Sequence, residues 1–327
     1  MNYKDSVYGI QVISEPVLLT LIETAAITRL KGILQHGITG LIGLTDKTTR
    51  FDHSVGAMLL VKQLGGSLEE QIAALLHDVS HTAFSHVIDY VVDGHDDQSY
   101  HEEIKEAYLS QTDIPDTLAK FGHDWHDFLH EDNYPILEQP SPRLCADRVD
   151  YFLRDAQSLG LATDEDIQFG LESLMVVNGR IALNNQQAAH WFAHTYIQAD
   201  DASWANFREV GLYEVTARAI KRALKIGLIS EADFMLTDEE LWQKLYTGED
   251  AKLQDWLSLV SLDTQFAWDE ASPTFRVSTK LRAIDPDVGV EGELRPYSTL
   301  NPQFAHHLNH YLTSKQGKWP IRIIREA

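Results

Sequence analysis

The sequence predicts a mainly helical protein with one small β-hairpin and a C-terminal part of mixed character. Three patterns lead there: apolar residues recurring at three and four spacing as far as Gly227, helix-start signals ahead of several of those runs, and an Asn-Gly turn between two short β-prone segments.

Between Glu15 and Leu44 the run PVLLTLIETAAITRLKGI keeps helical spacing, with Pro16 where a helix would begin. A second helix is expected to start near His53. A third is announced by Ser67 with Glu70 three residues later, the capping-box pattern, and its apolar face is Leu68, Ile72, Leu75, Leu76 and Val79. His77 and Asp78 then fall at the end of a buried helix. Helical patterns continue through SHVIDYVV, HEEIKEAYL and DTLAKFGHDWHDFLH, and after the turn EQPSP through RLCADRVDYFLRDAQSLG, where Gly160 supplies a C-terminal stop. MVVNGRIAL, with Asn178-Gly179 at its centre, predicts a hairpin. Amphipathic stretches resume from Gln186 to Gly227, whereas TFRVSTKLRAID and the final WPIRII alternate as strands do. With no internal repeat, low-complexity tract or Gly/Ser linker, the division expected is a domain over 1–230 with a lobe over 231–327 packed on it.

The chain has 327 residues, 44% of them hydrophobic and 23% charged, with 10 prolines, a composition suited to an ordered globular protein. Its 27 Lys+Arg against 49 Asp+Glu give a formal charge of −22, which disfavours nucleic-acid backbones and anionic membranes as partners. A small phosphate-bearing substrate responds more to a local metal and a few arginines than to that total. The single Cys145 excludes an intramolecular disulfide and a multi-thiolate zinc site, so a reducing, cytoplasmic setting is expected. The first residues, MNYKDSVYGIQVISEP, lack a basic segment followed by an apolar one, and no run of 18 apolar residues occurs, so neither secretion nor membrane spanning is expected.

Histidine number 15, many of them between His53 and His130 among carboxylates. A divalent cation takes imidazole nitrogen and carboxylate oxygen and leaves positions to water or substrate. Taken singly, each histidine reads as an ordinary hydrogen-bonded side chain, and the His77-Asp78 pair alone is weak evidence. As a set they call for a site, with His77 and His81 four apart and His86 about a turn further on. His123, His126 and His130 share a helical face, either to supply a second metal or, the favoured reading, to decorate an exposed acidic helix. Asp150 and Arg154, at i and i+4, read as a solvated ion pair. Walker, dinucleotide-binding, HExxH and GxSxG signatures are missing.

The stretches TTRFDHSVG, AALLHDVSHTAFSH, YHEE and ADRVDYFLRD, in that order, resemble the HD-domain phosphohydrolases, and specifically their deoxynucleoside triphosphate triphosphohydrolase branch. The resemblance runs from about Arg29 to Gly160. STKLRAIDPDV and LRPYSTLNPQF resemble a C-terminal element of the same branch more loosely, which extends it over most of the chain. It implies an HD-domain helical bundle and one divalent metal ion (Mn, Fe, Ni, Mg, Co or Zn) held by His53, His77, Asp78 and Asp147. It also implies catalytic histidines His81, His86 and His101 lining the phosphate site, phosphate contacts from Arg50 and Arg148, and Tyr151 and Asp155 near the sugar. Asp147, Tyr151 and Asp155, at i, i+4 and i+8, share one helix face.

The expected activity is hydrolysis of a nucleotide, first a deoxynucleoside triphosphate, by metal-activated water. The alternatives are a nucleoside monophosphate phosphatase or phosphodiesterase on the same site, a dinuclear iron oxygenase, and a non-catalytic nucleotide-binding module. Homo-oligomerisation stays open. One departure from the branch is Ser80, where many relatives have glycine two residues after the paired aspartate. Its Cβ is expected to crowd the backbone near the metal or alter the approach of substrate.

Overall fold

The computed structural model describes residues 1–94 and 96–324. The first apolar run breaks into short pieces, α1 (Pro16–Ile22), α2 (Ala25–Arg29) and α3 (Ile38–Leu41), rather than continuing as one helix. α4 (Arg50–Gln63) starts at a reciprocal capping box between Thr49 and Asp52, three residues before the expected His53. α5 (Leu68–Leu76) is capped by the Ser67 side chain, which accepts from Glu70 N; the Glu70 carboxylate instead accepts from Ile136 N at 2.8 Å. α6 (Val87–Val91), α7 (Tyr100–Leu109) and α8 (Ile114–Lys120) follow. The helix expected through GHDWHDFLHED is interrupted: Gly122 takes φ +82°, short 3-10 turns form over Trp125–Phe128 and Glu131–Asn133, and no common helix face carries His123, His126 and His130.

α9 (Ala146–Ser158) ends at Gly160 with φ +69°, as its sequence predicts. After α10 (Asp164–Ser173) come α11 (Gln186–Ala199), a π-turn over Asp200–Trp204 and α12 (Phe207–Lys225). The remaining helices are α13 (Asp238–Tyr246), α14 (Ala251–Leu257), α15 (Tyr297–Leu300) and α16 (Pro302–Lys315). Among the described residues no helix is long and apolar enough to cross a membrane.

Helix dominates, yet the strand content exceeds one hairpin. β1 (Asn2–Asp5) and β2 (Gly9–Val12) pair antiparallel at the start of the chain. The hairpin of β3 (Leu174–Val177) and β4 (Arg180–Leu183) forms around Asn178 and Gly179, both at positive φ as a type I′ turn requires. It is extended by β7 (Asp287–Val290) and β8 (Glu293–Pro296) in the order β3-β4-β7-β8. β5 (Gln265–Trp268), β6 (Phe275–Val277) and β9 (Trp319–Ile324) make a third sheet in the order β5-β9-β6. Of TFRVSTKLRAID only Phe275–Val277 is strand; the residues that follow run as an irregular segment into the main cavity.

Two apolar clusters hold these elements. The first joins Leu18, Leu59, Leu75, Phe152 and Phe192 and takes in Ile284, Tyr297 and Phe304 from the C-terminal part. The second gathers Phe84, Tyr90, Val215 and Leu241 with Phe275 and Trp319. The described residues from 231 to 324 thus contribute to both clusters.

Candidate metal centre and substrate cavity

α4 packs against both α5 and α9, which sets His53, the end of α5 and the first turn of α9 side by side. His53 Nε2 lies 3.1 Å from His77 Nε2 and 2.9 Å from Asp147 Oδ1, while His77 Nε2 is 3.5 Å from the same oxygen. Asp78 adjoins this group through a different oxygen to each ring, Oδ2 at 3.7 Å from His53 Nε2 and Oδ1 at 3.6 Å from His77 Nε2, and itself groups with His81 and His101. Two ligands each about 2.1 Å from one ion and about 90° apart stand about 3 Å from each other. The two shortest separations match that spacing, and the group could hold a metal ion.

The hydrogen-bond chemistry asks for a cation at that point. His77 Nδ1 donates to Ala74 O at 2.7 Å and His53 Nδ1 donates to Asp150 Oδ2 at 2.7 Å, so each Nε2 presents a lone pair to the other. Two facing lone pairs repel unless a positive charge sits between them. In the metal-free protein a proton supplies that charge: burial works against it, yet Asp78 and then Asp147 push His77 up to about 10, and a metal ion would take the proton's place. Burial likewise disfavours the Asp78 carboxylate, but Arg50, with Nη1 at 2.7 Å from Asp78 Oδ2, holds it well below the usual carboxylate range. The donor set of two imidazoles and two carboxylates fits a divalent metal ion.

Beyond Asp78 stands a wall of three histidines. The His81 and His101 rings stack at 3.8 Å, and His86 meets them edge-on at 5.1 and 5.8 Å. α5 does not continue through this stretch, so His81 reaches the cavity from a buried turn rather than a helix face. That turn is pinned by Arg29, which donates to Val79 O and His81 O, and by Asp238, which accepts from Phe84 N and Leu34 N. Ser80 is fully buried and its hydroxyl donates to His101 O at 2.8 Å, tying the turn to α7 where the two stacked rings meet. His86 Nδ1 pairs with Asp89 Oδ2 at 3.0 Å. Burial and the Arg50 charge drive His81 down to about 3 and hold His86 well below the ordinary imidazole range. Burial, then His81, does the same to His101.

The other expected residues border the same cavity, whose volume is about 530 Å³. Arg50 Nε donates to Ser85 Oγ while Nη1 holds Asp78, and Arg148 is engaged by Gln139 O, Arg143 O and Glu138. Tyr151 shares a hydrogen bond with Tyr196, and its ring meets Trp204 edge-on at 5.0 Å. Asp155 accepts from His36 Nε2 at 3.0 Å and Trp204 Nε1 at 2.6 Å. His130 borders the cavity; His123 and His126 do not, and His126 is an exposed partner of Asp124.

Asp150 and Arg154 correct the sequence reading. Both are buried, Asp150 completely, and their partners are His53, Asp5 and the Tyr8 hydroxyl rather than water. Asp150 falls three residues after Asp147, which was the available signal; Asp5 and Tyr8 gave none. His36, Tyr196, Trp204, Lys280 and Arg282 also line the cavity without having been singled out.

Residues 50–155 match the HD domain family. The metal-dependent phosphohydrolase cns2 of Cordyceps militaris is 37% identical over 321 residues, which cover 95% of this chain and 92% of that one. The chain belongs to the HD-domain metal-dependent phosphohydrolases. This phosphohydrolase is also 26% identical over 199 residues to a Dictyostelium discoideum protein named as a deoxynucleoside triphosphate triphosphohydrolase SAMHD1 homolog, covering 52% of this chain and 39% of that one. Its fold is shared with a phosphohydrolase of Bacteroides thetaiotaomicron, at a TM-score of 0.71 and 17% identity, with all of both chains covered.

Proposed function

We propose that this phosphohydrolase acts on nucleotides, with a deoxynucleoside triphosphate, cleaved to nucleoside and triphosphate, as its first substrate class. The observation that carries the reading is the convergence in one cavity of the His53, His77, Asp78 and Asp147 donors, the histidine wall and the aromatic group Tyr151, Tyr196 and Trp204. Its volume lies within the roughly 300–1,000 Å³ of small-molecule sites. A divalent ion held by the four donors supplies Lewis-acid polarisation of a phosphoryl oxygen and a water of lowered pKa.

The remaining roles fall to the side chains themselves. Arg50 keeps Asp78 ionised and oriented. His81 and His101 offer ring nitrogens to phosphate oxygens. His86, its Nδ1 tied to Asp89 and its ring at the cavity wall, would take up a proton when a phosphate anion binds beside it and then give it to the departing alkoxide through Nε2. Tyr151 and Asp155 stand on the α9 face that turns from the metal centre toward the aromatic group, where a sugar and base would lie. Arg148 reaches a phosphate by exchanging Glu138 for it. Similarity to the Dictyostelium protein supports the triphosphate over the nucleoside monophosphate and phosphodiester alternatives.

The test is to incubate the manganese-loaded protein with deoxynucleoside and ribonucleoside mono-, di- and triphosphates and identify products by chromatography and mass, with Asp147→Ala as control. Triphosphate release supports the reading; no triphosphate, pyrophosphate or phosphate from any nucleotide refutes it. A second reading has its own observation. Asp78, His81 and His101 form another group whose ligand atoms lie within 4.8 Å of one another, so Asp78 faces two groups at once. Two metal ions per chain with oxygen uptake favour the dinuclear oxygenase; one ion and no uptake remove it.

A further inference from the structure

We propose that Lys280 and Arg282 form a second anion subsite, which holds a phosphate group remote from the one attacked and fits the cavity to polyphosphate. The inference rests on the phosphohydrolase reading of this cavity and adds a substrate requirement to it.

The segment that carries both residues leaves β6 and is anchored by the buried Ser278 and Thr279 on one side and by Ala283 and Ile284 on the other. Lys280, Leu281, Arg282 and Ala283 line the cavity. Arg282 N donates to Asp200 Oδ2 at 3.2 Å, at the start of the π-turn that carries Trp204. Its Nη2 donates to Gln98 Oε1, three residues before His101. Arg282 thus bridges the segment that carries Trp204 and the one that leads to His101.

Charge pairing sets these two residues apart. Arg50, Lys105 and Arg148, which also line the cavity, each have a carboxylate partner: Asp78, Glu131 and Glu138. Lys280 Nζ donates to Asp97 O at 3.1 Å, and Arg282 donates to Lys280 O and the Gln98 amide oxygen, all neutral acceptors. Among the described residues neither cation forms an ion pair with a carboxylate. In a chain with 49 acidic residues and 27 basic ones, partners were available in abundance. Two adjacent, unneutralised cations repel each other; the protein crowded around the Lys280 ammonium, followed by the Arg282 charge, already holds it below the ordinary lysine range although the side chain as a whole stays open to solvent.

An ammonium has three donors and a guanidinium five, so with one and two of them spent, about five remain for phosphate oxygens. Among the described residues neither cation pairs with a carboxylate of the metal centre, whereas Arg50 holds Asp78, so both are left to meet a phosphate group beyond the one bound there. A substrate with several phosphate groups engages both places at once; a monophosphate engages one.

Binding of orthophosphate and of inorganic tripolyphosphate to the metal-loaded protein, measured by calorimetry with magnesium in excess of the tripolyphosphate, tests this. The native chain is expected to bind tripolyphosphate at least roughly tenfold more tightly than orthophosphate, since charge-assisted bonds are the strong ones. Lys280→Ala and Arg282→Ala are expected to lose most of that advantage and leave orthophosphate affinity unchanged, while Lys280→Arg keeps it. Lys280 is exposed, so its alanine variant folds even where the Arg282 variant does not. Equal losses for both anions, or none for either, overturn the subsite. No turnover is needed, so a negative nucleotide panel and a negative binding result count against different claims.

Discussion

The Asp150 carboxylate accepts from His53 Nδ1 at 2.7 Å and is itself clamped by Arg154 Nε at 2.8 Å, so a metal-facing imidazole is aimed by an ion pair on the neighbouring helix. The chain of contacts continues through Arg154 Nη2 to Asp5 and from Asp150 Oδ1 to the Tyr8 hydroxyl, which brings the N-terminal hairpin into the support of the site.

Asp150→Asn keeps the shape and removes the charge that fixes the His53 tautomer. Metal affinity is expected to fall roughly 10–100-fold, the usual effect of losing such an outer partner. Asp150→Ala is expected in addition to destabilise the fold by about 3–5 kcal/mol, because Arg154 is left in the interior with Asp5 as its one carboxylate. Equilibrium metal titration and urea unfolding separate the two effects. An Asn variant with native metal affinity would show that Asp150 serves stability alone.

Gly56 lies on α4 one turn beyond His53 and faces that ion pair. A Cβ there would overlap Arg154 Nη2 and Asp150 Oδ1, atoms fixed by several hydrogen bonds. Gly56→Ala is therefore expected to cost at least about 1–3 kcal/mol despite the better helix propensity of alanine, and to weaken metal binding through His53. Thermal unfolding and the same metal titration check both. A stabilised variant with native affinity would contradict the close approach of α4 and α9.

Local chemistry was legible where it acts locally. Ser67 ahead of α5, Gly160 behind α9 and Asn178-Gly179 in the hairpin behave as their neighbours dictate, because each needs only a few adjacent residues. The ordered motifs led to His53, His77, Asp78 and Asp147; the structure groups His53, His77 and Asp147, with Asp78 3.7 Å from His53 and grouped with His81 and His101. What escaped depended on distant partners. Asp150 and Arg154 have the spacing of an exposed pair, and only Asp5 and Tyr8, more than 140 positions away, make them a buried network. The alternation in TFRVSTKLRAID signals a strand as far as Val277; past that point no neighbouring strand is there to accept the ladder, and the same residues turn toward the cavity. The helix forecast through His126 failed at Gly122, whose positive φ ends α8 in spite of helical spacing beyond it.

His36 offers a pH test of the wall behind the cavity. Burial alone would lower its pKa, but the Asp155 charge and hydrogen bond raise it to about 9. The folded state therefore holds a proton that the unfolded chain releases near 6.5. The stabilisation is complete below about pH 6.5 and is lost as pH rises through about 9, up to about 3 kcal/mol in all. Urea unfolding at pH 6 and pH 9.5 should show a steeper loss for the native chain than for His36→Gln. Parallel losses in the two proteins would rule out a charged His36.

Metal removal tests the centre most directly. His53 Nε2 and His77 Nε2 face each other at 3.1 Å with Asp147 and Asp78 around them, so chelation leaves converging carboxylates and imidazoles that only proton uptake can compensate. Treatment with a chelator is expected to abolish turnover and lower the unfolding temperature, and readdition of metal to restore both. Because the ion binds only the folded chain, stability should rise with metal concentration by about 2.7 kcal/mol at one hundred times the dissociation constant. Asp147→Ala removes one donor from the first turn of α9 and leaves the core intact, its side chain being a quarter exposed. Its unfolding is expected to respond weakly to metal and its turnover to drop to background. An Asp147→Ala protein whose stability still follows metal concentration as the native chain does would place the ion elsewhere.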